Sequence, residues 1–322
     1  MSNFEADVEI ADCGGAASAA EPTVELLHPR PVLLGPRQEV QRVLPNRDRR
    51  MIGAWCFVDH YGPEDITGRV GMWVPPHPHT GLQTVSWLMA GEVHHRDSLG
   101  SDAMVVPGHL NLMTAGPGIA HSEASPPGHS ALMHGLQLWV ALPDGARTTA
   151  QPDFTQYRDL PHVRRRGLDA TVVMGALEDV RSAATTYSPL AGADLSLQGE
   201  QSVGLRRDFE YGVLGVEGSV QVEGHQVGRS EICYVGGDRD VLTLSADGGA
   251  RVFLLGGEPF AEQLVMWWNF IGRSHDEIVE FRRVWNDVSG GGVFGEVLGF
   301  DDDRLPAPPM PTTQLKARGR RR

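Results

Sequence analysis

Apolar residues recur with period two over most of this chain. In ALMHGLQLWVALP, Leu132, His134, Leu136, Leu138 and Val140 alternate with Met133, Gly135, Gln137 and Trp139, the pattern of a strand whose side chains face opposite ways in turn. Short runs of this kind, bounded by Gly, Pro, Asp and Ser, begin near Val24 with VELL, PVLL, EVQRVL and GAWCFVDHYGP, and continue in AMVVPGHLNLMTAGPGIAHSEAS. After Pro143-Asp144-Gly145 the chain turns polar to about Arg166. A second strand-rich block opens near Ala170 with TVVMGAL and runs through YGVLGVEGSVQVEG, EICYVGG, DVLTLSA and ARVFLLGGEPF. Helical spacing appears where Ile278, Phe281, Val284 and Trp285 follow Ser274, and Ser274 with Glu277 forms a capping-box signature.

The two blocks resemble each other. Trp87-Leu88-Met89-Ala90-Gly91-Glu92-Val93 can be laid over Leu214-Gly215-Val216-Glu217-Gly218-Ser219-Val220, and an internal repeat of this kind predicts two related β-barrels. Composition agrees: 39 glycines and 22 prolines with 7% aromatics favour many short elements over a helical bundle. The expected organisation is a flexible acidic leader over residues 1–22, a first barrel over 23–145, a linker over 146–168, a second barrel over 169–304 that ends in a short helix, and a disordered Pro/Arg-rich tail over 305–322.

A net charge of −13 disfavours direct nucleic-acid binding, because a field of that sign repels phosphate. The chain nevertheless ends KARGRRR, which is either a basic arm for an acidic partner or a solvated tail, the latter being favoured. Cys13, Cys56 and Cys233 are widely spaced, which argues against a disulfide framework and against a thiolate zinc site. The start MSNFEADVEIADCGG has no signal-peptide pattern, and no apolar run approaches the ~20 residues of a membrane helix. A cytoplasmic setting is the expectation.

The candidate chemistry lies in the first block. His77-Pro78-His79 places two imidazoles on one face of a strand. His121-Ser122-Glu123 repeats the spacing after the turn Ala115-Gly116-Pro117-Gly118, and both motifs read as strand starts. Three imidazoles and a carboxylate facing one barrel interior suit Fe, Mn, Ni, Cu or Zn, and four protein ligands leave a position open for chemistry. Of the other histidines, His94-His95 read as a solvated face, His109 as surface and His134 as a hydrogen-bonded core residue. His60 lies near the Tyr61-Gly62-Pro63 turn, and Trp267-Trp268 read as interdomain packing.

HPHTGLQTVSWLMAGEVHHRDSLG, PGHLNLMTAGPGIAHSE and GLQLWVALP, with WCFVDHYGP before them, closely resemble the pirin family of the cupin superfamily over about residues 40–143. The C-terminal half is similar more loosely. The resemblance implies an all-β bicupin, two stacked RmlC-like jelly-roll barrels, with one divalent metal held by His77, His79, His121 and Glu123. Fe2+ is the metal it implies first, with Mn, Ni, Co, Cu or Zn as alternatives. It also implies a metal-free second barrel, whose equivalent positions under a gapless overlay are Gly204, Arg206, Gly248 and Ala250. Two positions depart from the family pattern, Thr80 standing where many members carry Arg and Gln83 where many carry Glu. Gln83 is also where general cupins place a third ligand. The activity implied is a quercetin 2,3-dioxygenase-like opening of a flavonol by O2, with Glu123 taking the substrate's proton. The alternative is a non-catalytic, iron- and redox-dependent regulator that binds a transcription factor or a metabolic enzyme.

Overall fold

The computed structural model describes residues 24–34, 38–287 and 292–321; the expected leader and Cys13 lie outside them. Two β-barrels stack on one another. The first is built from two sheets. One, in spatial order, comprises Trp73–His79, Ile119–Ala124, Val93–Asp97 and Asp102–Val105. The other comprises Asp153–Tyr157, Leu110–Thr114, Leu82–Ala90, Leu132–Ala141, Trp55–Asp65, Gln38–Leu44 and Arg30–Leu34.

Leu132–Ala141 has the predicted alternation, yet both its faces are buried. Leu136 and Leu138 join Val85 and, from the second barrel, Leu214, Ile232, Phe253 and Leu255 in one apolar cluster between the barrels. The opposite face carries Gln137 and Trp139 into the first barrel, beside Ser86 and the His79 ring. Gly135 lies on that face because a Cβ there would sit 2.5 Å from the Tyr61 hydroxyl. The second barrel's interior is apolar, filled by side chains such as Val172, Leu195, Val213, Leu242 and Leu254.

Three domain boundaries differ from the expectation. Val24–Leu27 pairs with Ile232–Val235 and so belongs to the second barrel's sheet. The expected linker holds Asp153–Tyr157, which pairs with Leu110–Thr114 of the first barrel, and His162–Arg165, which pairs with Leu168–Leu177 of the second. The expected disordered tail is docked. Leu305 N donates to Pro76 O, Leu264 and Arg318 exchange both backbone hydrogen bonds at 2.8 Å, and Arg50 N donates to Arg320 O. These contacts use backbone groups or single side chains, so they leave no periodic signature in the sequence.

Arg320 also reaches the buried Glu210 carboxylate at 2.5 Å, beside the N–H of Gly53 and the hydroxyl of Tyr234. The basic tail is therefore an internal strap, and neither a solvated end nor a free arm. Deleting residues 316–322 should cost about 1.5–3 kcal/mol, the range for a hydrogen bond to a charged group. Thermal unfolding of the truncated chain against the full chain checks this, and an unchanged midpoint would contradict it.

The C-terminal helix is His275–Asn286, with Ser274 accepting from Glu277 N. The capping box is only half formed, because the Glu277 carboxylate accepts from Arg273 N and from Arg147. No helix among the described residues is long and apolar enough to cross a membrane.

A buried histidine pair lies where the barrels meet. His134 Nδ1 faces Glu217 at 3.3 Å, so His60 Nε2–H donates to His134 Nε2 at 2.9 Å and His60 Nδ1 accepts from Ser230 Oγ at 2.8 Å. His60 is thus a buried residue that joins the two barrels through Ser230. Burial, and then the neighbouring His134, push the His60 pKa down to about 3. Above pH ~6.5 His60 is neutral whether the chain is folded or unfolded. Below it the unfolded chain takes up a proton that the folded chain refuses, so stability falls by about 1.4 kcal/mol per pH unit toward pH 3. In His60→Asn the slope of unfolding free energy between pH 6.5 and 5 should flatten by up to one proton. An unchanged slope would contradict this account of the pair.

Candidate metal centre

The His77-Pro78-His79 motif ends its strand, although the sequence reads as a strand start. Trp73–His79 is the edge of its sheet, and an edge tolerates Pro75, Pro76 and Pro78, which have no N–H to donate. The chain then turns at Gly81, whose φ is +68° and where a Cβ would sit 2.5 Å from Ile271 O. Antiparallel pairing with Ile119–Ala124 sets His77 opposite His121 and His79 opposite Ile119, and a bulge follows between His121 and Glu123. Bulges re-aim side chains, and this one lies within the second motif.

The imidazoles of His77, His79 and His121 converge, all buried, with one nitrogen from each within 4.8 Å of the others. Their tautomers follow from their outer hydrogen bonds. His77 Nδ1–H donates to Pro75 O at 2.9 Å and His79 Nδ1–H to Asn269 O at 3.2 Å, which leaves the lone pairs on Nε2. His121 Nδ1 lies 3.4 Å from His95 Nδ1, while His95 Nε2 lies 3.1 Å from Asp97 Oδ2. Because the carboxylate can only accept, His95 Nε2–H donates to it and His95 Nδ1 accepts from His121 Nδ1–H. All three ligand nitrogens are then unprotonated.

This arrangement fits a metal ion. His79 Nε2 and His121 Nε2 face each other at 3.1 Å, and two lone pairs at that distance repel unless a cation lies between them. Donors at metal–nitrogen distances of 2.0–2.1 Å and at right angles to one another lie about 3.0 Å apart. His77 Nε2 is buried and has no hydrogen-bond partner among the described residues. Burial first, and then the neighbouring imidazoles, hold His77 and His121 well below the usual histidine range, and burial brings His79 to about 3. All three are neutral near pH 7, the form a metal needs.

Glu123 is buried on the same strand, with Oε1 3.4 Å from Ser86 Oγ, while Ser86 gives its proton to Gln137 Oε1 at 2.8 Å. Gln83 stands at the position expected for a third ligand of general cupins, and its buried Oε1 has no hydrogen-bond partner among the described residues. Gln83 Nε2 donates to Thr114 Oγ1 at 3.0 Å and to Thr185 O at 3.2 Å. Thr80 donates to Ile271 O.

His95 is buried, contrary to the solvated face expected for His94-His95; it stacks on Phe154 with centroids 4.0 Å apart. The signal was available, since Val93, His95 and Asp97 alternate onto one buried face while His94 and Arg96 bond Asp102 outside. Asn269 had no local signal, because it stands 190 residues from His79, in the hairpin turn between Val265–Trp267 and Phe270–Gly272. Trp267, Trp268 and Phe270 form an apolar cluster with Ala120 and Trp285, against the first barrel as expected for interdomain packing.

Comparison with known proteins decides the family. The family model described as Pirin matches residues 37–140, and that described as Pirin C-terminal cupin domain matches residues 192–290. The chain belongs to the pirin family. A Pseudomonas aeruginosa protein provisionally named quercetin 2,3-dioxygenase is 42% identical over 97% of this chain and 98% of its own. Rat pirin is 28% identical over 81% of this chain and 91% of its own. A crystal structure titled as quercetin 2,3-dioxygenase from Acinetobacter baumannii is 38% identical and superposes with a TM-score of 0.86, covering 92% of this chain and 98% of that one. The bicupin architecture is shared with these relatives.

Proposed function

We propose that the chain is a metal-dependent dioxygenase of the quercetin 2,3-dioxygenase type, acting on a flavonol with O2. His77, His79, His121 and Glu123 would hold one divalent ion, with iron(II) as the resident metal. The observation that carries this reading is the convergence of three buried imidazoles whose outer hydrogen bonds leave Nε2 unprotonated; Glu123, buried on the strand of His121, lies outside the 4.8 Å cluster of those nitrogens. The names of the Pseudomonas and Acinetobacter relatives supply the substrate class.

When bound, the ion would supply a Lewis acid for the substrate hydroxyl and a redox centre for O2. The chain's own residues do the rest. Glu123 takes the proton of the flavonol 3-hydroxyl on a carboxylate oxygen, for which it must lie within hydrogen-bond reach. Ser86 gives its proton to Gln137 Oε1 and stands 3.4 Å from Glu123 Oε1. Trp139 packs edge-on against His79, and its buried Nε1–H has no hydrogen-bond partner among the described residues; we assign this donor to a substrate oxygen. Phe57, stacked on Trp139 at 4.0 Å, holds the indole in place and excludes water.

The test is reconstitution with Fe, Mn, Ni, Co and Cu in turn, followed by O2 uptake and carbon monoxide release with quercetin. Equal amounts of O2 consumed and carbon monoxide released are expected with at least one metal. No turnover with any of them would overturn the proposal.

A further inference from the structure

The outer side of His121 is built differently from that of its two neighbours. His77 and His79 donate their Nδ1–H to backbone carbonyls, fixed acceptors that cannot change role. His121 donates to another imidazole, which can be donor or acceptor at either nitrogen. What fixes the direction is Asp97. Its Oδ2 faces His95 Nε2 at 3.1 Å, while its Oδ1 accepts from Leu99 N at 2.9 Å and from Ser101 N at 3.0 Å. The carboxylate is buried and pinned by its own turn, and Phe154 stacks on His95 at an interplanar angle of 12°.

We infer that Asp97 and His95 are positioning residues that lock His121 in the tautomer able to bind metal. The inference rests on the metal-centre reading above. The chain runs Asp97 Oδ2, His95 Nε2–H, His95 Nδ1, His121 Nδ1–H, and leaves the lone pair on His121 Nε2. Every link is a donor facing an acceptor, so reversing the first link reverses the last.

Asp97→Asn makes that reversal with almost no change of shape. The asparagine oxygen stays on the Leu99 and Ser101 N–H groups, since turning it away would leave both facing an amide N–H. Its Nδ2–H2 then faces His95, which must accept at Nε2 and donate from Nδ1. His121 Nδ1 becomes an acceptor and its Nε2 carries the proton, where a metal cannot bind. His95→Phe keeps the ring stacked on Phe154 but removes the relay, so His121 is free to take either tautomer. The aspartate variant should therefore be the more damaging, although it lies further from the site.

The test is Zn2+ affinity by chelator competition, with 15N NMR of metal-free protein to read the His121 tautomer. For Asp97→Asn a loss of about a hundredfold is expected, with the proton moved to His121 Nε2; for His95→Phe the loss should be nearer tenfold. His77 and His79 should keep their tautomers in both variants, which separates relay reversal from general disruption of the barrel. Wild-type Zn2+ affinity in Asp97→Asn, or an unchanged His121 tautomer, would overturn the inference. Failure of the wild-type protein to bind Zn2+ would instead overturn the metal-centre reading itself.

Discussion

His79→Ala should lose metal retention and dioxygenase turnover together. His79 Nε2 lies 3.1 Å from His121 Nε2, and Asn269 O holds the His79 ring from behind. Removing it takes away one of the three converging imidazoles, and Gln83 stays held through its Nε2 by Thr114 and Thr185. Replacing groups behind a metal ligand already costs about 10–100-fold in affinity, so loss of a ligand should exceed a hundredfold. A metal that binds only the folded chain raises its unfolding temperature, and that rise should vanish in the variant. Metal analysis with thermal unfolding, with and without added ion, reads both effects. Wild-type metal content in His79→Ala would contradict the assignment.

Glu123→Gln separates binding from chemistry. The three histidines remain, so the variant should still take up metal, with reduced affinity. Glutamine cannot accept the flavonol proton, and loss of a positioned base typically costs about 10²–10⁴ in rate. The expected result is a fall of that size in kcat/KM on metal-loaded protein, together with loss of the acid limb of its pH profile. Turnover within about twofold of wild type would remove Glu123 from the proton transfer.

The parts of this molecule that were legible in the sequence are those encoded locally. Two strand-rich blocks and the capped helix after Ser274 follow from local periodicity, and His77, His79 and His121 come from motifs of alternate residues within single strands. What was hidden depends on distant partners. Val24–Leu27 reads as part of the nearest barrel but completes the far one, because strand pairing is decided by a free edge elsewhere. The Arg-rich end has the composition of a solvated tail, yet the buried Glu210 gives Arg320 a place to dock. His95 looked solvated beside Arg96 and Asp97, but alternation sends His95 and Asp97 inward and Arg96 outward. Asn269, nearly two hundred residues from His79, could not have been matched to it without the fold.

Three neutral imidazoles converging on one ion predict a stoichiometry of one metal per chain. Protein freed of metal and then titrated with a divalent ion should bind about one equivalent per chain, and His77→Ala, His79→Ala and His121→Ala should each abolish that binding. A wild-type chain that binds no ion, or binding that survives all three substitutions, would contradict that arrangement.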